Sequence, residues 1–139
     1  MSAEKKLQIA IVHTNPDVVS VMERALNQAG YLTAHYIPHD WLELHVADSL
    51  AFFASSPPDL VVYDIVTPYG ENIRRFKEMM AAPKLCEIPF LLTTIDRNLV
   101  ENIDSSLPYA VIRGLPFDVE TFVAQVSFEL ASKNISRAS

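Results

Sequence analysis

Pro58-Asp59-Leu60-Val61-Val62-Tyr63-Asp64-Ile65-Val66-Thr67-Pro68 is the stretch on which the fold turns. Leu60 to Tyr63 and then Ile65 are apolar or aromatic, and one carboxylate, Asp64, interrupts them. Pro68 stands four residues after the acid and Gly70 two beyond that, so the chain must turn just past it. A short apolar run bounded by turn residues suits a strand buried on both faces. An acid at the C-terminal end of such a strand lies where open parallel sheets place their sites. The plainer alternative is that Asp64 stops the strand or caps the next helix.

Working outward, the same kind of run recurs. Leu7 to Val12 is a first strand, apolar apart from Gln8. It ends in His13-Thr14-Asn15-Pro16, where Asn15 is a good N-cap and Pro16 takes the first helical position. The helix runs to about Ala29, with Val18, Val21, Met22, Ala25, Leu26 and Ala29 on one face and Gly30 as its stop. Tyr31 to Ile37 reads as a second strand. Asp40 caps a helix from Trp41 to about Ala54, ended by Ser55-Ser56-Pro57-Pro58. After the central strand, Glu71 to about Ala81 is helical, with Ile73, Phe76 and Met80 inward and Arg74, Arg75 and Lys77 on a solvated side. Ile88 to Thr94 is a fourth strand, and Asp96 caps a short helix carrying Leu99, Val100 and Ile103. Tyr109 to Arg113 is a fifth strand. Asp118 caps a last helix that buries Val119, Phe122, Val123, Val126 and Leu130.

Strand and helix thus alternate five times. That order demands a parallel sheet with helices on both faces and right-handed crossovers. The expected fold is α/β, a flavodoxin-like three-layer (βα)5 sandwich with strand order 2-1-3-4-5. The 139 residues are expected to form one domain, with its core over 7–133 and a polar tail over 134–139. At the C-terminal edge of the sheet four positions meet: His13-Thr14, Asp64, Thr94 and the turn before Pro116.

Composition narrows the function. Half the residues are hydrophobic, enough for a sizeable core. The net charge of −6 argues against non-specific binding to nucleic acid or anionic membranes. No apolar run approaches the roughly 20 residues that span a bilayer, and the N-terminus leads into a strand and not into a signal-peptide core. The lone Cys86 suits a reducing compartment, so a cytoplasmic domain is expected. The three glycines fall in turns, and no Gly-rich phosphate loop, nucleophile elbow or CxxC is present. Pro38 between His35 and His39 spoils their helical spacing, and His45 near Glu43 and Asp48 reads as a solvated helix face, so no metal site is expected.

The strand with Asp64 followed four residues later by Pro68 resembles the phosphoacceptor strand of response regulator receiver domains, the CheY-like family. Pro89-Phe90-Leu91-Leu92-Thr93-Thr94 resembles the strand ending in that family's Ser/Thr switch residue, at Thr94, and Leu115-Pro116-Phe117 resembles its Lys-Pro-Phe. The likeness runs from Leu7 to about Lys133 and implies Asp64 as the phosphoacceptor position. The departures are as specific. The acidic pair that helps bind Mg²⁺ in the family is His13 and Thr14 here, the lysine is Leu115, and the aromatic switch position is Ile112.

A transferring phosphoryl group needs a hard cation and a placed ammonium to neutralise its charge. Mg²⁺ takes oxygen ligands, whereas His13 offers a softer nitrogen. The expectation is an atypical receiver, a pseudo-receiver, that is not an enzyme, needs no cofactor and phosphorylates weakly or not at all. Asp64 is expected to be held by Thr14, Thr94 or a backbone N–H, with a protonated His13 as a further neighbour. One alternative is a phosphoaccepting regulator with a non-standard site, using Asp64, His13 and Mg²⁺. Another, from a different class, is a flavodoxin-like small-molecule binder. The resemblance implies a partner face at Arg97, Val100, Asp104, Ile112, Arg113, Gln125 and Phe128. Its occupant would be a histidine kinase, a downstream signalling protein or a second copy of the chain, and neither nucleic acid nor a membrane.

Overall fold

The computed structural model describes residues 6–37, 58–79, 88–94, 110–113 and 118–138. Within them lie β1 (Gln8–Val12), α1 (Pro16–Gln28), β2 (Leu32–Tyr36), β3 (Leu60–Ile65), α2 (Tyr69–Met79), β4 (Phe90–Thr94), β5 (Ala110–Arg113) and α3 (Val119–Ala138). The expected helices over 41–54 and after Asp96, with Asp40, Cys86, His39, His45 and the 114–117 turn, fall outside the described residues. The five strands form one parallel sheet in the order β2-β1-β3-β4-β5. This is the doubly wound arrangement expected from the alternation.

β3 is the centre of that sheet, and all six of its residues are buried. Its pleat divides the core in two. Val61, Tyr63 and Ile65 face one side with Ala10, Val12, Phe90 and Leu92, and α2 covers them with Ile73 and Phe76. Tyr63, Phe76 and Phe90 pack there as tilted and edge-on rings with centroids 5.2 to 6.5 Å apart. Leu60 and Val62 face the other side with Ile9, Ile11 and Leu91, beneath α1 and α3. The entry to β3 is fastened to β1: Gln8 N–H donates to Asp59 Oδ2 at 2.7 Å, and Asp59 N–H donates to the Gln8 carbonyl at 2.8 Å.

The ends of α1 follow local chemistry. Asn15 Oδ1 accepts from the Asp17 and Val18 N–H groups, and Pro16 opens the helix. At the other end Tyr31 N–H donates to the Leu26 carbonyl and Gly30 N–H to the Asn27 carbonyl. That pair of bonds is a Schellman motif, with Gly30 at φ +98°.

Several expected details are corrected. Val21 is 44% exposed and Val19 takes its place in the core. Val119 is exposed, because it lies in the first turn, before α3 seats on the sheet at Phe122. The expected polar tail is helical to Ala138, since nothing in Asn134 to Ala138 breaks a helix. Strands begin one or two residues late, at Gln8, Leu32, Phe90 and Ala110, and α2 begins two residues early, at Tyr69. No helix among the described residues is long and apolar enough to cross a membrane.

Candidate functional site

The pleat decides what meets Asp64. Residues paired across a parallel ladder point to the same face, and successive residues alternate. Asp64 is paired with Thr93, and Ile65 with Thr94. Asp64 therefore shares its face with Thr93 and with His13, which follows the buried Ile9 and Ile11 of β1. Thr94 points to the other face. This corrects the expectation that Thr94 or Thr14 would hold the acid. The Thr93 hydroxyl donates to Asp64 Oδ1 at 2.6 Å, Thr94 Oγ1 is buried without a hydrogen-bond partner, and Thr14 is exposed.

The second neighbour of Asp64 is the His13 ring, with Nε2 3.5 Å from Oδ2. Both residues are buried, 4% and 7% exposed. The expected protonated ring is corrected here. Asn15 N–H donates to His13 Nδ1 at 3.0 Å, so that nitrogen carries a lone pair and the ring proton sits on Nε2, toward Asp64. Burial, with a smaller contribution from the neighbouring His35, lowers the ring to about 4. The contact is therefore a long one between a neutral imidazole N–H and a carboxyl, and not an ion pair. Burial pushes Asp64 up to about 6, with the Thr93 hydroxyl pulling the other way. With His13 and Thr14 in place of an acidic pair, no like charge on β1 raises the carboxyl. Desolvation alone supplies the shift.

The loop carrying His13 is tied to the sheet edge. His13 N–H donates to the Tyr36 carbonyl at 3.1 Å, and His35 Nε2 donates to the His13 carbonyl at 3.0 Å. On the other flank Asn72 Nδ2 donates to the Val66 carbonyl, two residues past Asp64, at 2.8 Å.

This donor set does not fit Mg²⁺. One carboxyl is partly committed to Thr93, the nearest ring presents an N–H, and the Val66 carbonyl already accepts from Asn72. Among the described residues no three or more His, Cys, Asp or Glu side chains converge as metal ligands. Leu115, Arg97, Val100 and Asp104 lie outside the described residues. Ile112 and Arg113 lie on β5, beside Thr93 and Thr94 of β4. Gln125 is half-buried on α3, and Phe128, 63% exposed, stands free on the same helix. Sequence reasoning missed Thr93. Its signal was present in the shared parity of Leu91 and Thr93, but only the β3–β4 register identifies the partner of Asp64.

No protein-family model and no curated protein matches the sequence. Solved structures do. NtrX from Brucella abortus superimposes with a TM-score of 0.72 at 17% identity, over 96% of this chain and 28% of that one. This chain thus spans well under two thirds of that protein. A putative response regulator from Chloroflexus aurantiacus gives 0.66 at 19% identity over 91% of this chain and 99% of its own. A response regulator receiver protein from Burkholderia phymatum gives 0.67 at 23% identity over 91% and 96%. With the strand order and the placement of Asp64 at the edge of the central strand, these likenesses give the chain the parallel three-layer fold of response regulator receiver proteins.

Proposed function

We propose that this chain is a regulator of two-component signal transduction in which a receiver fold acts by protein–protein contact, with weak or no Mg²⁺-dependent phosphorylation of Asp64. It is not an enzyme in this reading and works in the cytoplasm. Its partner is a histidine kinase, a downstream signalling protein or a second copy of the chain. The partner face is the one drawn from Arg97, Val100, Asp104, Ile112, Arg113, Gln125 and Phe128.

One observation carries the proposal: the immediate neighbours of Asp64 are a neutral His13 N–H and the Thr93 hydroxyl. Neither supplies the positive charge that a phosphoryl group developing on a buried carboxylate requires, and each electrostatic contact of that kind is worth a few kcal/mol of transition-state stabilisation. Leu115 in place of a lysine points the same way. The test is incubation with a small phosphodonor and Mg²⁺, read by intact mass. The unmodified mass is expected. A rapid gain of one phosphoryl group that disappears in Asp64→Ala overturns the proposal.

A further inference from the structure

β2 forms one edge of the sheet, with β1 on its inner side. Its backbone divides by parity. Leu32 N–H donates to the Leu7 carbonyl, and the Tyr36 carbonyl accepts from His13 N–H. Leu32, Ala34 and Tyr36 therefore turn their backbone groups toward β1. In a parallel ladder the residues between them turn theirs away, so the N–H and C=O groups of Thr33 and His35 point outward. Those outward groups have no partner among the described residues. The side chains of both residues fold back onto their own chain instead. The Thr33 hydroxyl donates to Glu23 Oε2 at 2.9 Å, and His35 Nε2 donates to the His13 carbonyl at 3.0 Å. Leu32 is 50% exposed, and Ile37, just past the strand, 52%. Free sheet edges are usually blunted by charge, by proline or by a bulge. Leu32-Thr33-Ala34-His35-Tyr36 holds no Asp, Glu, Lys, Arg or Pro, and its register with β1 runs without a bulge.

We propose that the outer edge of β2 pairs antiparallel with β2 of a second copy of this chain, joining the two sheets into one across a two-fold axis at Ala34. The edge itself commits to that occupant. With the axis at Ala34, Thr33 of each copy stands opposite His35 of the other, and each such pair exchanges both of its backbone bonds. The outward groups of both residues are then satisfied in both copies. On the other face of the sheet Leu32 stands opposite Tyr36, an aliphatic residue against an aromatic one. The small Ala34 meets itself at the axis, where partners without a shared hydrogen bond lie closest. An axis one residue to either side leaves Leu32 or Tyr36 with no strand residue opposite it. Charge agrees. Each copy carries −6 overall, and β2 is a strip on which no carboxylate of one strand meets a carboxylate of the other. The same patch serves both copies, as an isologous interface requires. β5, which carries Ile112 and Arg113 of the expected partner face, is the opposite edge of the sheet, so this surface is a separate one.

The experiment is sedimentation equilibrium of the full chain from low micromolar to millimolar concentration, with amide hydrogen exchange as the local readout. A reversible dimer is expected. Exchange at the Thr33 and His35 amides should slow as the dimer fills, while the Leu32 amide, already bonded to β1, should not respond. Thr33→Pro removes an outward donor, which an edge strand tolerates, and should weaken the dimer at least about tenfold. Thr33→Val loses the hydroxyl contact with Glu23 but keeps the N–H, and should retain the dimer. Leu32→Asp, at an exposed position, should weaken it as well and serves if Thr33→Pro does not fold. A spin label at Ile37→Cys in a Cys86→Ser background reads the orientation. Antiparallel pairing about Ala34 offsets the two labelled positions by about 20 Å of strand, and a parallel pair sets them about 5 Å apart. A chain that stays monomeric, Thr33 and His35 amides indifferent to concentration, a dimer indifferent to Thr33→Pro and Leu32→Asp, or the short label distance overturns the inference. None of these outcomes touches the phosphorylation test, so the two proposals fail separately.

Discussion

At the scale of single residues, Asp64 costs the fold stability when it ionises. A carboxyl moved from 3.8 to about 6 holds its proton in the folded chain where the unfolded chain has released it. Stability therefore falls as pH rises from about 4 to 6. At ~1.4 kcal/mol per pH unit, the cost at neutral pH is about 3 kcal/mol. Asp64→Asn should recover about 1–3 kcal/mol at pH 7.5 in urea unfolding, and the gain should shrink to nothing near pH 4. His13 has the opposite sign. Its ring, lowered from 6.5 to about 4, stays neutral while the unfolded ring protonates, so stability is lost as pH falls through that window. The two slopes offset each other between about 4 and 6 in the parent chain. Asp64→Asn should uncover the His13 slope. The adjacent threonines separate just as sharply. Thr93→Val strands Asp64 Oδ1 and should cost about 1–3 kcal/mol, raising the Asp64 pKa further in a carboxyl NMR titration. Thr94→Val replaces an unpartnered buried hydroxyl and should be neutral or stabilising. The sequence points to the acid and to a Thr-Thr pair. It does not say which threonine faces the acid, because that depends on the register of one strand against another.

At the scale of elements, caps and breakers were the most legible features, since they act through bonds within a few residues. Asn15-Pro16 and Gly30 stand where they were expected to start and stop α1. Gly30→Ala should destabilise by about 1 kcal/mol, as a shift in urea midpoint without a change in slope. A methyl there meets no atom within 4 Å, so the whole effect is backbone strain at φ +98°. Which valine of α1 goes inside was less legible. Val19 and Val21 both border the Val18–Met22–Leu26 stripe, and only the angle at which the helix lies on the sheet decides between them. The end of α3 was misjudged for a different reason. Polarity over 134–138 is not a stop signal: without Gly or Pro a helix runs on past the surface it covers.

At the scale of the whole molecule, alternation of strand and helix narrows the sheet to a handful of orders, because few topologies satisfy short, right-handed crossovers, and the observed β2-β1-β3-β4-β5 is the common one for five units. The identity of the groups around Asp64 then separates the fold from its chemistry, and that separation can be measured without a phosphodonor. In the parent chain Mg²⁺ should leave the melting temperature unchanged, since the described donor set offers it one partly committed carboxyl. His13→Asp puts a second carboxylate beside Asp64 in a buried position. Like charges at that distance repel, so the metal-free variant should be less stable than the parent at pH 7.5 and should regain stability on acidification. The same pair of carboxylates supplies the hard oxygen ligands that Mg²⁺ takes. Binding to the folded state alone stabilises it by RT ln(1 + [Mg²⁺]/Kd), about 2.7 kcal/mol at a hundredfold excess over Kd. Mg²⁺ should therefore raise the melting temperature of His13→Asp and not of the parent. Adding Leu115→Lys should leave that shift in place and, once a small phosphodonor is supplied, bring in phosphoryl transfer from that donor to Asp64, read by intact mass. A parent chain whose melting temperature climbs with Mg²⁺, or a His13→Asp variant that ignores it, would mean that His13 is not what bars the ion from this site.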